Sequence, residues 1–321
     1  MQISRRIQTI FLHLSIVMFI SACSSSSVTV PVTRPAEINL KNINKIAIGE
    51  ITGRGSRQLT DDLTIALFQS RRFEVLDRQH LDRILEEHSL TLSGYVDEST
   101  AVEVGKLIGA AALIFGNVSE YDYAEDLSHE DEFDKKSGKT TVKWQRKGTA
   151  KVTVTLRVVD LQTGKIIAIN KLDKSVSQTQ YRDDKRPEEI DDKALFNRCR
   201  EHIVTNFMHK IAPYTENVAV SFAMDDKMPE LKHGYDMAKI GDWDEAITIF
   251  QSAVEKYKHS RNKVDKAYYN LGLGYMVTNQ FDEARENFEI AYRIQAEDKY
   301  ARALQKLDQR IEEMQQLQEQ L

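Results

Sequence analysis

The stretch from Arg71 to Tyr121 leaves few choices of fold, because it places two helices between two strands within one short span. Phe73 and Val75 alternate as a strand, and Asp77 stands where its carboxylate can cap the free amides of a following helix. Leu81, Ile84, Leu85 and His88 recur at helical spacing until Gly94 ends that turn. Asp97 or Ser99 can cap a second helix with Ala101, Val104, Gly105 and Ile108 on one face, and a glycine on such a stripe predicts close approach to a neighbouring backbone. After Gly109, Ala111 to Val118 is almost unbroken apolar, the composition of a strand covered on both faces. These elements predict an α/β sheet.

The flanking residues extend it. Lys45–Ile51 reads as a strand, and Leu59, Leu63, Ala66 and Leu67 mark a helix after it. Between them Gly53-Arg54-Gly55 lacks both the third glycine of a dinucleotide fingerprint and the lysine of a phosphate loop, so a plain strand-to-helix turn is expected. Thr149–Asp160 alternates apolar with polar, Leu161–Gly164 is a hairpin turn, and Lys165–Lys171 returns as the partner strand. Leu195–Ile211 is an amphipathic helix that Pro213 stops, with Cys199 on its buried face. The predicted order over residues 42–215 is β-α-β-α-α-β-β-β-α.

The segments F-E-V-L-D-R, S-G-Y-V-D and G-K-L-I-G-A-A-A-L-I-F-G-N-V, in that order, resemble the CsgG curli production assembly and transport family of bacterial lipoproteins. The resemblance implies a mixed sheet flanked by helices. It also implies a homo-oligomeric ring whose hairpins form an outer-membrane secretion channel. Each spanning strand would need about 9–11 residues with an apolar outer face. Residues 125–139 hold nine charges in fifteen positions and residues 171–193 hold thirteen in twenty-three. A lysine or arginine facing lipid costs about 2–4 kcal/mol at mid-depth, so both segments are expected to be solvated loops.

Residues 1–22 read as a signal peptide: Arg5 and Arg6, an apolar Ile10–Ile20 too short to span a bilayer, then Ile20-Ser21-Ala22-Cys23. That tetrapeptide resembles a lipobox, which would make Cys23 the lipidated residue, residues 23–41 a tether and, with Ser24 next, the outer membrane the anchor site facing the periplasm. Lipidation of Cys23 would leave Cys199 as the only thiol, a buried structural one.

After a linker at 216–225, residues 226–297 repeat one helical hairpin: Gly241-Asp242-Trp243-Asp244-Glu245-Ala246 aligns with Asn279-Gln280-Phe281-Asp282-Glu283-Ala284, Gly234 with Gly272 and Phe250 with Phe288. These small and aromatic positions resemble tetratricopeptide (TPR) repeats, an all-α module, and residues 298–321 with Tyr300, Leu304, Leu307, Ile311 and Met314 supply a capping helix. The resemblance places Leu231, Tyr235, Ala238, Tyr269, Leu273 and Met276 along a partner-binding groove.

No histidine cluster, calcium loop or G-x-S-x-G elbow is present, so no catalytic, cofactor or metal site is expected, and a net charge of −5 argues against nucleic acid as partner. The expected role is that of a non-enzymatic, lipid-anchored scaffold in envelope biogenesis or secretion that binds envelope proteins through its repeats. A CsgG-like channel, and an activator of cell-wall synthases like the LpoB lipoproteins, are the alternatives.

Overall fold

The computed structural model describes residues 26–76, 98–108, 111–260 and 264–320, grouped in two compact units. The signal sequence, Cys23 and the expected helix through Leu81–His88 lie outside the described residues.

The larger unit, Pro31–Asn217 with Gln305–Leu321, is built on one mixed sheet. Its elements are β2 (Lys45–Thr52), α1 (Ser56–Ser70), β3 (Glu74–Leu76), α2 (Glu98–Ile108), β4 (Ala111–Asp134), β5 (Lys139–Asp160), β6 (Ile166–Asp183) and α3 (Asp192–Ile211). The sheet order is β3-β2-β4-β5-β6. Pairings of β2 are parallel, and those of β4–β5 and β5–β6 antiparallel.

One sheet face packs Ile46, Ile48, Ile114, Val152, Val154, Leu156 and Val158 against α1 and α3, through Leu63, Leu67, Cys199, Ile203 and Phe207. The opposite face packs Ala47, Leu113 and Phe115 with Ala101 and Val104 of α2, so the base of β4 is covered on both sides as expected. Gly105 makes the predicted close approach: a Cβ there would meet the Leu161 carbonyl oxygen at 1.9 Å. Gly53 and Gly55 take φ of +97° and +77°, and a side chain on either would strike Val118 or Tyr121, which accounts for the glycines by the turn alone. Asp191 caps α3 by accepting from the Lys193 and Ala194 amides. Cys199 is fully buried, its thiol donating to the Ala150 carbonyl at 3.7 Å, and burial raises its pKa.

Three expectations are corrected. Residues 125–134 and 171–183 are not loops: β4 and β5 run 24 and 22 residues, and β6 continues to Asp183. Ser27–Arg34, expected as tether, forms strand β1, with Val28 and Val30 buried. Tyr214–Ser221, expected partly as linker, is strand β7, paired with β1.

The smaller unit includes Val218–Leu304. It holds α4 (Pro229–Lys239), α5 (Trp243–Tyr257), α6 (Val264–Val277), α7 (Phe281–Ile294) and the first turns of α8 (Asp298–Gln320). Helices α4–α5 and α6–α7 form two hairpins that repeat one contact. A Cβ on Gly234 would meet the Phe250 ring at 2.4 Å, and one on Gly272 the Phe288 ring at 2.7 Å. Gly241 and Asn279, the equivalent turn positions, both take positive φ. Tyr300 of α8 is buried and donates to buried Asp265 at 2.5 Å, closing the second hairpin's open side.

Candidate functional site

Beyond Asn117, β4 has left its last paired β2 residue, Thr52, and a bulge between Val118 and Glu120 resets its register against β5. From there β4, β5 and β6 form a three-stranded ribbon, and its β4 side spans about 50 Å at roughly 3.4 Å per residue. On one face the register sets Asp122 opposite Lys151, Asp126 opposite Lys147, Glu130 opposite Lys143 and Asp134 opposite Lys139. Successive pairs lie four residues apart, so all four point the same way. The lysines also reach diagonally: Lys151 pairs with Glu120 at 2.8 Å, and Lys143 pairs with Glu132. The hydrogen bond from Lys151, helped by the Thr153 hydroxyl, lowers the Glu120 pKa, and Lys143 is raised by Glu132. On β6, Ser177 adds a hydroxyl contact to Thr149 at 2.8 Å.

The other face is covered by the chain's return toward α3. Asp184 continues the β6 edge, its amide donating to the Val142 carbonyl at 2.7 Å and its carboxylate accepting from the Val142 amide at 3.0 Å. Arg186 then stacks over Trp144, whose other neighbour is His129 at 4.5 Å between ring centroids. Pro187 and Ile190 are buried. Beneath them Glu125 accepts from Tyr123 at 2.8 Å and pairs with Arg146; Glu125 is lowered, chiefly by the tyrosine hydroxyl, and burial with Glu125 pushes Tyr123 up to about 12. Neither face of the ribbon is a continuous apolar surface.

Residues 34–182 match the model of the curli production assembly/transport component CsgG. The match ends one residue short of the ribbon's last strand position, so base and ribbon both lie within the matched region, while α3 packs into the same core from beyond its end. Residues 232–319 match a domain of unknown function, DUF6340. A search of curated proteins finds no match. Among solved structures the chain is similar to the LpoB C-terminal domain from Salmonella enterica (14% identity, 43% of this chain and 87% of that one, TM-score 0.27). It is also similar to the PelC dodecamer from Paraburkholderia phytofirmans (10%, 58% and 98%, 0.26) and a minor lipoprotein from Acinetobacter baumannii (15%, 52% and 90%, 0.25).

The residues expected along the repeat groove divide into two sets. Leu231, Ala238 and Leu273 are buried in the helical core and present nothing to a partner. Tyr235, Tyr269 and Met276 are half-buried, and the two tyrosines already contact the chain's own segment Ser221–Asp225. The Tyr269 hydroxyl donates to the Ser221 carbonyl at 3.1 Å. Asn270, fully buried, holds Ala223 by both its N–H and its C=O at 2.8 Å each. Lys266 reaches the Met224 carbonyl and the Asp225 carboxylate, each at 3.1 Å. Phe222 lies among Tyr235, Trp243 and Phe250, with centroids 5.7, 6.3 and 5.8 Å away. Lys266, Asn270, Trp243 and Phe250 were missed as contact residues. Lys266, Tyr269 and Asn270 share an i, i+3, i+4 face, the signal that could have grouped them.

Near the chain's end, Arg34 pairs with Glu216 at 2.8 Å and with Glu313, at a cleft of about 420 Å³ that Tyr214 and Gln309 also line. Those two acids outweigh the opposing effect of burial and raise the arginine's pKa. Gln320 holds both backbone groups of Ala36 at 2.8 Å. This arginine is committed to structure. Among the described residues no group of three His, Cys, Asp or Glu side chains is placed to hold a metal ion, and no helix is long and apolar enough to cross a membrane.

Proposed function

We propose that this chain is a lipid-anchored protein of the bacterial envelope that acts by protein contact rather than catalysis, as an assembly factor for envelope biogenesis or secretion. The observation that carries this reading is the ribbon of β4, β5 and β6: a charged three-stranded arm on a CsgG domain, whose β4 edge beyond Asn117 and β6 edge have no strand partner among the described residues. Open strand edges are templates for pairing with another chain, and a charged face limits that pairing to complementary partners. Cys23, in its lipobox-like setting, supplies the outer-membrane anchor and orients the protein to the periplasm. The repeated hairpins act as a tetratricopeptide module that recruits a second protein; their 38-residue spacing and the matched Gly234–Phe250 and Gly272–Phe288 contacts support it.

A channel is the second reading, favoured by the ribbon's length, which exceeds the roughly 9–11 residues a spanning strand needs. The four acid–lysine pairs on one face and the covering segment on the other weigh against it. The test introduces photo-crosslinkers at Phe133 and Tyr181, both exposed on the ribbon, and measures particle mass after detergent extraction together with liposome leakage. The assembly reading expects specific envelope crosslinks without leakage, and loss of the membrane-bound fraction in Cys23→Ser. Leakage by a ring-sized particle establishes the channel, and a ribbon that crosslinks to nothing overturns the assembly reading.

A further inference from the structure

The contacts around Ser221–Asp225 are of a kind that reads a peptide rather than one that merely packs a loop. Four backbone groups on three residues are held by one face of α6: Tyr269 takes the Ser221 carbonyl, Asn270 takes both polar groups of Ala223, and Lys266 takes the Met224 carbonyl. Backbone pairing of this sort accepts any extended sequence, so selectivity falls on the side chains. Only two are read. Phe222 enters the aromatic pocket of Tyr235, Trp243 and Phe250, and three positions later the Asp225 carboxylate meets the Lys266 ammonium at 3.1 Å. Asn270 is fully buried, and its amide is satisfied at both ends only while the backbone of Ala223 lies beside it.

We propose that this face of α4, α5 and α6 is a binding site for an extended segment carrying an aromatic residue followed three positions later by a carboxylate, and that Ser221–Asp225 occupies it as a built-in competitor. The inference rests on the reading of the helices as a recruiting module and specifies what they recruit. A partner segment with the same pattern replaces the internal one, and the displaced residues lengthen the connection between β7 and α4. Because the internal copy is always at hand, the resting protein binds such a partner weakly. Any event that pulls on β7 strengthens binding, since apparent affinity scales with the fraction of open sites.

The experiment uses the full chain in detergent and a fluorescein-labelled peptide copying residues 221–226, with anisotropy as readout. Two variants release the internal copy by different routes: Phe222→Ala empties the aromatic pocket, and Ala223→Pro removes the N–H that Asn270 accepts while leaving the pocket filled by no new atom. Each is checked for native circular dichroism and a cooperative melt. Saturable binding at least about tenfold tighter in a folded released variant than in the unaltered protein is expected. It should be lost on adding Asn270→Ala, and on replacing the peptide's phenylalanine by serine. Absence of saturable binding to both released variants, or equal binding of the serine peptide, overturns the proposal. Concentration-dependent dimers that exchange the segment overturn it too, by making a second copy the occupant. Failure here with ribbon crosslinks intact leaves the assembly function standing and removes only the peptide site.

Discussion

The base and the distal part of the same sheet are made by the same strands and held by different forces. Between Ala111 and Val118, β4 is apolar on both faces, and helices cover each. Past the bulge the same strand becomes mostly polar, one face carrying charge pairs and the other covered by a short return segment. Burial of a single large apolar side chain is worth about 1.5–3 kcal/mol, whereas an exposed ion pair adds little and is screened by salt. The base therefore anchors the domain, and the ribbon draws less of its stability from apolar burial. A fold that wanted only stability would have ended these strands at the bulge.

Gly105→Ala strikes the base hardest. Its Cβ would lie 1.9 Å from the Leu161 carbonyl oxygen, a backbone atom that cannot swing aside. A loss of about 3 kcal/mol or more is expected, read as a large drop in melting temperature that takes base and ribbon together. A variant melting normally would mean α2 is not clamped to the sheet as described. Trp144→Ala should do less and do it locally. It removes the surface on which Arg186 and His129 stack, costing about 1–2 kcal/mol, and exchange should rise at residues 184–190 while amides of 111–118 keep their protection. If protection falls equally in both regions, ribbon and base are one cooperative unit.

The base was legible in the sequence because burial writes a pattern of apolar residues. Ala111–Val118, the alternation from Val152 to Val158, and Gly105 each carried one physical demand that the structure meets. The ribbon was hidden because its strands are specified by charge. Asp122, Asp126, Glu130 and Asp134 recur every fourth residue, as do Lys139, Lys143, Lys147 and Lys151. That double series encodes a hairpin with one salted face, although charge density alone reads as a loop. In the helices, the matched glycine and aromatic positions located both hairpins, but the groove was placed from the spacing of a family rather than from what fills it. Leu231, Ala238 and Leu273 are core, and the contact face runs through Lys266, Tyr269 and Asn270. Nothing local in S-F-A-M-D announces that it lies across a helix, since Asn270 is 47 residues away.

The gentlest way to separate the two regions is acid. Glu120, Glu125 and Asp134 all have folded pKa values below their ordinary ones: Glu120 chiefly through the Lys151 hydrogen bond, Glu125 through the Tyr123 hydroxyl, and Asp134 through the Ser137 hydroxyl. A carboxylate lowered in this way contributes stability that is present above its unfolded pKa and is lost as pH falls through the folded one. These groups keep part of their side chains in water, where solvent screens their interactions, so the effect on global melting should be small at any pH. Locally it should be visible: as pH drops below the ordinary carboxylate range, amides of residues 120–149 should gain exchange relative to their intrinsic rates, and those of 111–118 should not. Glu120→Gln should reproduce the gain near Lys151 at neutral pH, because it removes the charge that the lysine partners while keeping an acceptor for Thr153. Acid that loosens residues 111–118 in step with the ribbon would show that the charge pairs help hold the base, and the division of labour between the two parts of the sheet would fall.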